Sequence, residues 1–155
     1  MSDSEIEDLL EQGVALEEQD RDAEALALYE QALALDPTHS EAWYLKGEAL
    51  FSLERYDEAL AAYERSIALD SSVTDAWLGK GNALTALDRS AEAVKVYERA
   101  IELDPTQAIS WLLKGIAHYD LDETMPALQA FERAISLDPS EAEAWSGKGD
   151  ALADL

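Results

Sequence analysis

The side chains that do chemistry are few in this chain, and their spacing does not suit it. There is no cysteine, so thiolate catalysis, disulfides and cysteine metal centres are excluded. Two histidines, His39 and His118, stand alone. Neither has a second His or Cys at ligand spacing, as a zinc site requires. No Ser/His/Asp arrangement assembles around them. Carboxylates abound: 34 Asp and Glu face 11 Lys and Arg, for a net charge of −23. Neighbouring acids such as Glu17 and Glu18 therefore read as a solvated face rather than an acid–base pair. Asp120-Leu121-Asp122-Glu123 attracts cations but lacks the glycine and spacing of a calcium loop. No catalytic residue, metal site or cofactor is assigned, and the chain reads as a non-enzyme.

The same charge limits the partners. A surface this acidic repels phosphates, so nucleic acid is not an expected ligand. No apolar run approaches the ~20 residues that span a bilayer. Met1–Leu10 is acidic, unlike a signal peptide. The expectation is an acidic cytoplasmic protein that touches neither membrane nor nucleic acid.

What must position the remaining side chains is a repeat. Trp43, Trp77, Trp111 and Trp145 stand 34 residues apart, and Gly13, Gly47, Gly81, Gly115 and Gly149 keep the same beat. A period of this size marks a stack of supersecondary units. The units are 6–39, 40–73, 74–107, 108–141 and a half unit, 142–155, read as one domain over 1–155 with one continuous core. Apolar residues recur at spacings of three and four in both halves of each unit, which predicts two helices per unit. The predicted helices are 5–18, 23–35, 40–53, 57–69, 74–87, 91–103, 107–121, 125–137 and 140–154. Thr38, Ser72, Thr106 and Ser140 follow the turn between units; three have an acid three residues on, a capping-box pattern. Ser90 and Thr124 are read as N-caps of second helices. Glycine inside a helix costs roughly 1 kcal/mol against alanine. Its recurrence predicts close approach, with Tyr29, Tyr63, Tyr97 and Phe131 filling the space alongside.

These residues resemble the tetratricopeptide repeat (TPR) family: Trp-x-x-Leu-Gly-x-x-Tyr, then Ala, an aromatic, Ala and Pro. The likeness runs over about residues 6–155 and is similar to archaeal and bacterial arrays. One departure recurs: the family's Leu before Gly is Lys46, Lys80, Lys114 and Lys148, and Gln12 in the first unit. The resemblance implies an all-α, right-handed solenoid of antiparallel helix pairs, four and a half units and about nine helices. It also implies buried tryptophans. Each Lys is expected to lie partly buried beside a carboxylate.

In such arrays the first helices line a concave groove. Carried over to this sequence, the groove positions include Leu10 and Val14 in the first unit and Tyr44, Leu45 and Glu48 in the second. They continue through Asp75, Leu78 and Asn82 in the third, and Leu112, Leu113, Ile116 and Tyr119 in the fourth. Leu10, Val14, Leu45, Asp75 and Gly79 stand where chaperone-binding members place a basic clamp for an acidic C-terminal peptide. That ligand is not expected. The resemblance instead implies a non-enzymatic scaffold that binds a protein or peptide, basic and amphipathic to suit an apolar floor with acidic margins. The alternatives are a structural or self-assembling array, or the interaction part of a longer enzyme or regulator. The last helix keeps Trp145, Gly149 and Leu152, residues that would meet a second helix. A longer native chain, or self-association through the C-terminal helix, is the expectation there.

Overall fold

The computed structural model describes residues 3–155. Among the described residues there are nine helices and no strand: α1 (Asp3–Glu17), α2 (Asp22–Leu35), α3 (Ser40–Ser52), α4 (Tyr56–Leu69), α5 (Thr74–Ala86), α6 (Ser90–Leu103), α7 (Ala108–Asp120), α8 (Thr124–Leu137) and α9 (Ala142–Ala153). Every boundary falls within two residues of the expected one. The architecture is an all-α helical repeat array. Packing divides it into two compact units, Met1–Ala83 and Leu84–Leu155, with the division inside α5.

The turn inside each repeat is made by a backbone device that the sequence hides. Asp20, Glu54, Asp88 and Asp122 all adopt φ of 57–58°. This is the left-handed conformation that ends helices, usually supplied by glycine. The next residue closes the motif: Arg21 N–H donates to Leu16 O, Arg55 N–H to Leu50 O, Arg89 N–H to Leu84 O and Glu123 N–H to His118 O, each at 2.9–3.0 Å. In three repeats that residue is an arginine whose guanidinium pairs with a glutamate in the first turn of the second helix, as in Arg21–Glu24 and Arg55–Glu58, both 2.6 Å. In the fourth, His118 and Glu123 meet at 2.6 Å instead. The N-cap positions are thus Arg89 and Glu123; Ser90 and Thr124 lie one residue later, inside the helix.

The turn between repeats also differs from the capping-box expectation. Thr38 donates its backbone N–H and its hydroxyl to Asp36 Oδ1, at 2.8 and 2.7 Å. Ser72, Thr106 and Ser140 do the same with Asp70, Asp104 and Asp138. Two donors on one oxygen stabilise the charged carboxylate, so all four aspartates titrate below the usual range. The hydroxyls tie the turn to the residue before proline, or before Ser71, and do not cap the helix that follows.

Trp43, Trp77 and Trp111 are half-buried rather than core, and Trp145 is exposed. Each indole N–H reaches back six residues to a turn carbonyl: Trp43 to Pro37, Trp77 to Ser71, Trp111 to Pro105 and Trp145 to Pro139, at 2.9–3.1 Å. An indole buries well only where its N–H finds a partner, and here the partner lies at the surface. The lysines behave as expected. Lys46, Lys80, Lys114 and Lys148 pair with Glu30, Glu64, Glu98 and Glu132 at 2.9–3.0 Å. Each pair joins a first helix to the second helix before it. The Lys stem lies along the surface with its head near water, and Lys46, Lys114 and Lys148 also sit 5.4–5.9 Å from the ring of their own Trp.

The core is built from aromatics held in glycine gaps. In the first unit the Tyr63 ring lies where a Cβ on Gly47 or on Gly79 would approach it to 2.5–2.6 Å. In the second, Phe131 lies in the same way between Gly115 and Gly147. One ring from a second helix is therefore gripped by the first helices on either side of it. Around Phe131 pack Leu112, Ala127, Ala134 and Ala144.

Candidate functional site

The first unit presents openings along its first helices. One cleft of about 570 Å³ is lined by Val14, Glu17, Asp20 and Asp22 with Tyr44, Leu45, Glu48 and Ser52. Another of about 400 Å³ is lined by Glu7, Leu10, Glu11, Val14, Glu41 and Leu45. Val14 and Leu45 belong to both, so α1 and α3 frame one trough with these two side chains on its floor. A third cleft, of about 390 Å³, lies between α3, the end of α4 and the start of α5. None of the described residues lining the three is Lys or Arg.

Helix spacing places the charges. Glu17 closes α1 and accepts from Tyr29 Oη at 2.8 Å. Glu48 sits mid-α3 and accepts from Tyr63 Oη at 2.5 Å. Both tyrosine rings belong to the glycine-bound core, so the core itself fixes these carboxylates in the trough. Burial pushes Glu48 above the usual carboxylate range. Bonds from Tyr63 and Tyr44 oppose the rise, and the Asp75 charge adds to it. Glu17 is raised for the same first reason, with Glu48 and Asp22 as repelling neighbours. Tyr29, Tyr44 and Tyr63 are pushed well up by burial beside these acids and stay neutral donors.

This arrangement predicts a pH signature. A carboxyl whose pKa is raised in the fold contributes stability below the ordinary Glu range, about 4.3, and loses it as pH rises through the raised value. Ionised Glu48 therefore opposes folding at neutral pH. Glu48→Gln is expected to melt higher than the wild type at neutral pH, with the gain vanishing in acid where Glu48 is already protonated. Paired thermal melts check this; an equal or lower neutral-pH melting point for the variant contradicts it.

The sequence-derived groove residues separate into two groups. Val14, Tyr44, Leu45, Glu48 and Asp75 line the clefts of the first unit. Leu10 also borders the smaller trough opening but is only 6% exposed, and Leu78 is 8% exposed, so both serve the core more than a surface; Asn82 is half-buried on α5. In the second unit Leu112 is wholly buried against Phe131 and cannot meet a partner. Ile116 and Tyr119 pack onto that cluster, and Tyr119 Oη donates to Asp154 Oδ2 at 2.7 Å. Leu113 is half-buried. The apolar run in the fourth repeat closes on its own unit because α9 packs beside α7. Cleft-lining residues outside the groove positions include Asp20, Asp22, Ser66, Asp70 and Val73. The signal for Ser66 was present: it stands in register with Ala32, Ala100 and Ala134. Among the described residues no group of His, Cys, Asp or Glu is placed to hold a metal, and no helix is long and apolar enough to cross a membrane.

The tetratricopeptide repeat profile matches residues 10–73, 53–108 and 112–155. The chain belongs to the tetratricopeptide repeat family. No curated protein matches it in sequence. Solved structures do. A crystal structure of the MamA protein aligns over 99% of this chain and 84% of its own, at 21% identity and a TM-score of 0.88. YrrB, described as a TPR protein with an unusual peptide-binding site, aligns over 94% of this chain and 75% of its own, at 25% identity and a TM-score of 0.79. The first TPR of Spaghetti, bound to the HSP90 peptide SRMEEVD, aligns over 74% of this chain and 90% of its own, at 22% identity and a TM-score of 0.72.

Proposed function

We propose that the chain is a non-enzymatic cytoplasmic scaffold whose trough on α1 and α3 docks a basic, amphipathic segment of a partner protein. The observation that carries this reading is the trough itself: Val14 and Leu45 on the floor, Glu17 and Glu48 held half-buried and mutually repelling, and no basic residue among the lining. A cationic segment with one apolar face relieves that repulsion and covers the floor. Apolar contact supplies most of the affinity, while the acids raise the association rate and select the sign of the partner. The peptide-binding of YrrB and of Spaghetti supports a peptide or helix as ligand. An acidic peptide of the SRMEEVD kind does not suit this chain, whose matching positions are Leu10, Val14, Leu45, Asp75 and Gly79. The test is calorimetric titration with a helical peptide bearing leucine on one face and lysine on the other, against its glutamate counterpart. Binding of the lysine peptide alone is expected; equal binding of both, or of neither, sinks the reading.

A second reading has its own observation. Trp145 and Leu152 on α9 are each 51% exposed, and a Cβ on Gly149 would meet nothing within 4 Å. Self-association through this face would appear as concentration-dependent mass in analytical ultracentrifugation.

A further inference from the structure

We propose that the cleft between α3, the end of α4 and the start of α5 is a subsite for one lysine side chain of the docked segment; the identity of that segment rests on the groove reading above. The cleft holds about 390 Å³. Glu41 and Asp75 stand on its rim, Tyr44 and Val73 on its sides, and Ser66 forms part of its wall. Ser66 is 1% exposed and its hydroxyl oxygen has no hydrogen-bond partner. The fold does not require that hydroxyl. Ala32, Ala100 and Ala134, in the same register, are fully buried as methyl groups. A buried polar atom without a partner is costly and rare in a folded protein. Its presence in one repeat alone, at a cleft ringed by acids, points to a ligand that supplies the donor.

The surroundings select the donor's chemistry. The rim carboxylates repel anions and favour a cation. Asp70 Oδ1 is already engaged by the Ser72 backbone and hydroxyl, so the turn stays formed when the cleft is filled. An ammonium offers three donors from one point, which suits acceptors arriving from three helices. A guanidinium presents a planar fork that spends its donors in the plane of one carboxylate, whereas a point charge can face Ser66 and both rim acids together. The lysine stem then lies along the Tyr44 ring and Val73.

The experiment is an amide-resolved NMR titration with N-acetyl-lysine N-methylamide, with the norleucine counterpart as control. Saturable shifts confined to Ser66, Val73 and Asp75 are expected from the lysine probe and none from norleucine. Ser66→Ala should weaken the lysine probe about tenfold, the scale of a hydrogen bond to a charged group. The same change should raise the melting temperature of the free protein, because it removes the unpartnered hydroxyl. Glu41→Gln with Asp75→Asn should weaken the probe by at least as much. Equal shifts from norleucine, non-saturating shifts spread over the acidic surface, or unchanged lysine binding by Ser66→Ala overturns the subsite. A peptide that docks at Val14 and Leu45 equally in wild type and Ser66→Ala also overturns it, leaving the groove reading intact. Saturable lysine binding without any peptide docking upholds the subsite and sinks the groove.

Discussion

Phe131→Ala is expected to destabilise the second unit by about 3–5 kcal/mol, the range for removing a buried aromatic ring. The ring is 1% exposed and lies in a gap that Gly115 and Gly147 leave open on opposite sides. Both glycines lack the side chain that would refill the space, and they sit on helices that pack on α8 from either side. The cavity therefore has no side chain on those two sides to fill it. Leu112 and the alanines at 127, 134 and 144 lose their common partner at the same time. Against a total stability of order 5–15 kcal/mol for a domain, this leaves the unit marginal. Repeat arrays need not unfold in one step, so the measurement is hydrogen exchange resolved along the chain in denaturant. Protection should fall in α7, α8 and α9 first. A loss below about 1.5 kcal/mol would show that the helices close over the gap and that the glycine grip is not what holds the unit.

Leu45→Asp is expected to cut affinity for the leucine–lysine peptide between about ten- and a hundredfold while leaving helicity unchanged. Leu45 lies on the floor of both trough openings and is only half-buried in the free protein. Covering a fully exposed leucine is worth about 1.5–3 kcal/mol; about half of that, with the added cost of burying the new carboxylate under the peptide, gives this range at 1.4 kcal/mol per decade. The contrast is Leu112→Asp. That leucine is fully buried, and a carboxylate there would have to be desolvated without a partner. It is expected to unfold the second unit and to report nothing about binding. Replacing Glu48 and Asp75 by Lys acts on a third quantity, slowing association more than it speeds dissociation. Circular dichroism with surface plasmon resonance separates the three. Unchanged affinity for Leu45→Asp would move the site off this trough.

The helices and their number were legible because a 34-residue period repeats every apolar and small position several times over. The details that failed are those where a local rule has two solutions. Thr38 and Ser72 look like helix caps, and the neighbouring aspartates took their hydroxyls instead. The left-handed residue of each turn is Asp or Glu, with no glycine to announce it. The tryptophans sit at a core position, yet one polar atom on each ring drew it to the surface carbonyl of the preceding turn. For the site, position in the repeat told which helix face a residue occupies and not how deep it lies. Tyr44 and Leu112 stand in the same register; Tyr44 is half-buried and lines the clefts, while Leu112, beside α9, is wholly buried. Glu17 and Glu48 owe their strained charge to burial and to each other's neighbourhood of acids, while tyrosines arriving from second helices hold them in place, contacts distant in sequence. Ser66 could be found only by comparing the repeats with one another.

On the proposed function the partner meets the trough of the first unit, not the apolar run of the fourth repeat. Methyl-resolved NMR of Val- and Leu-labelled protein, titrated with the leucine–lysine peptide, tests it most directly. The largest shifts are expected at Val14 and Leu45, with Leu112 unmoved. Dominant shifts at Leu113 or at Leu152 of α9, with Val14 and Leu45 silent, would contradict it.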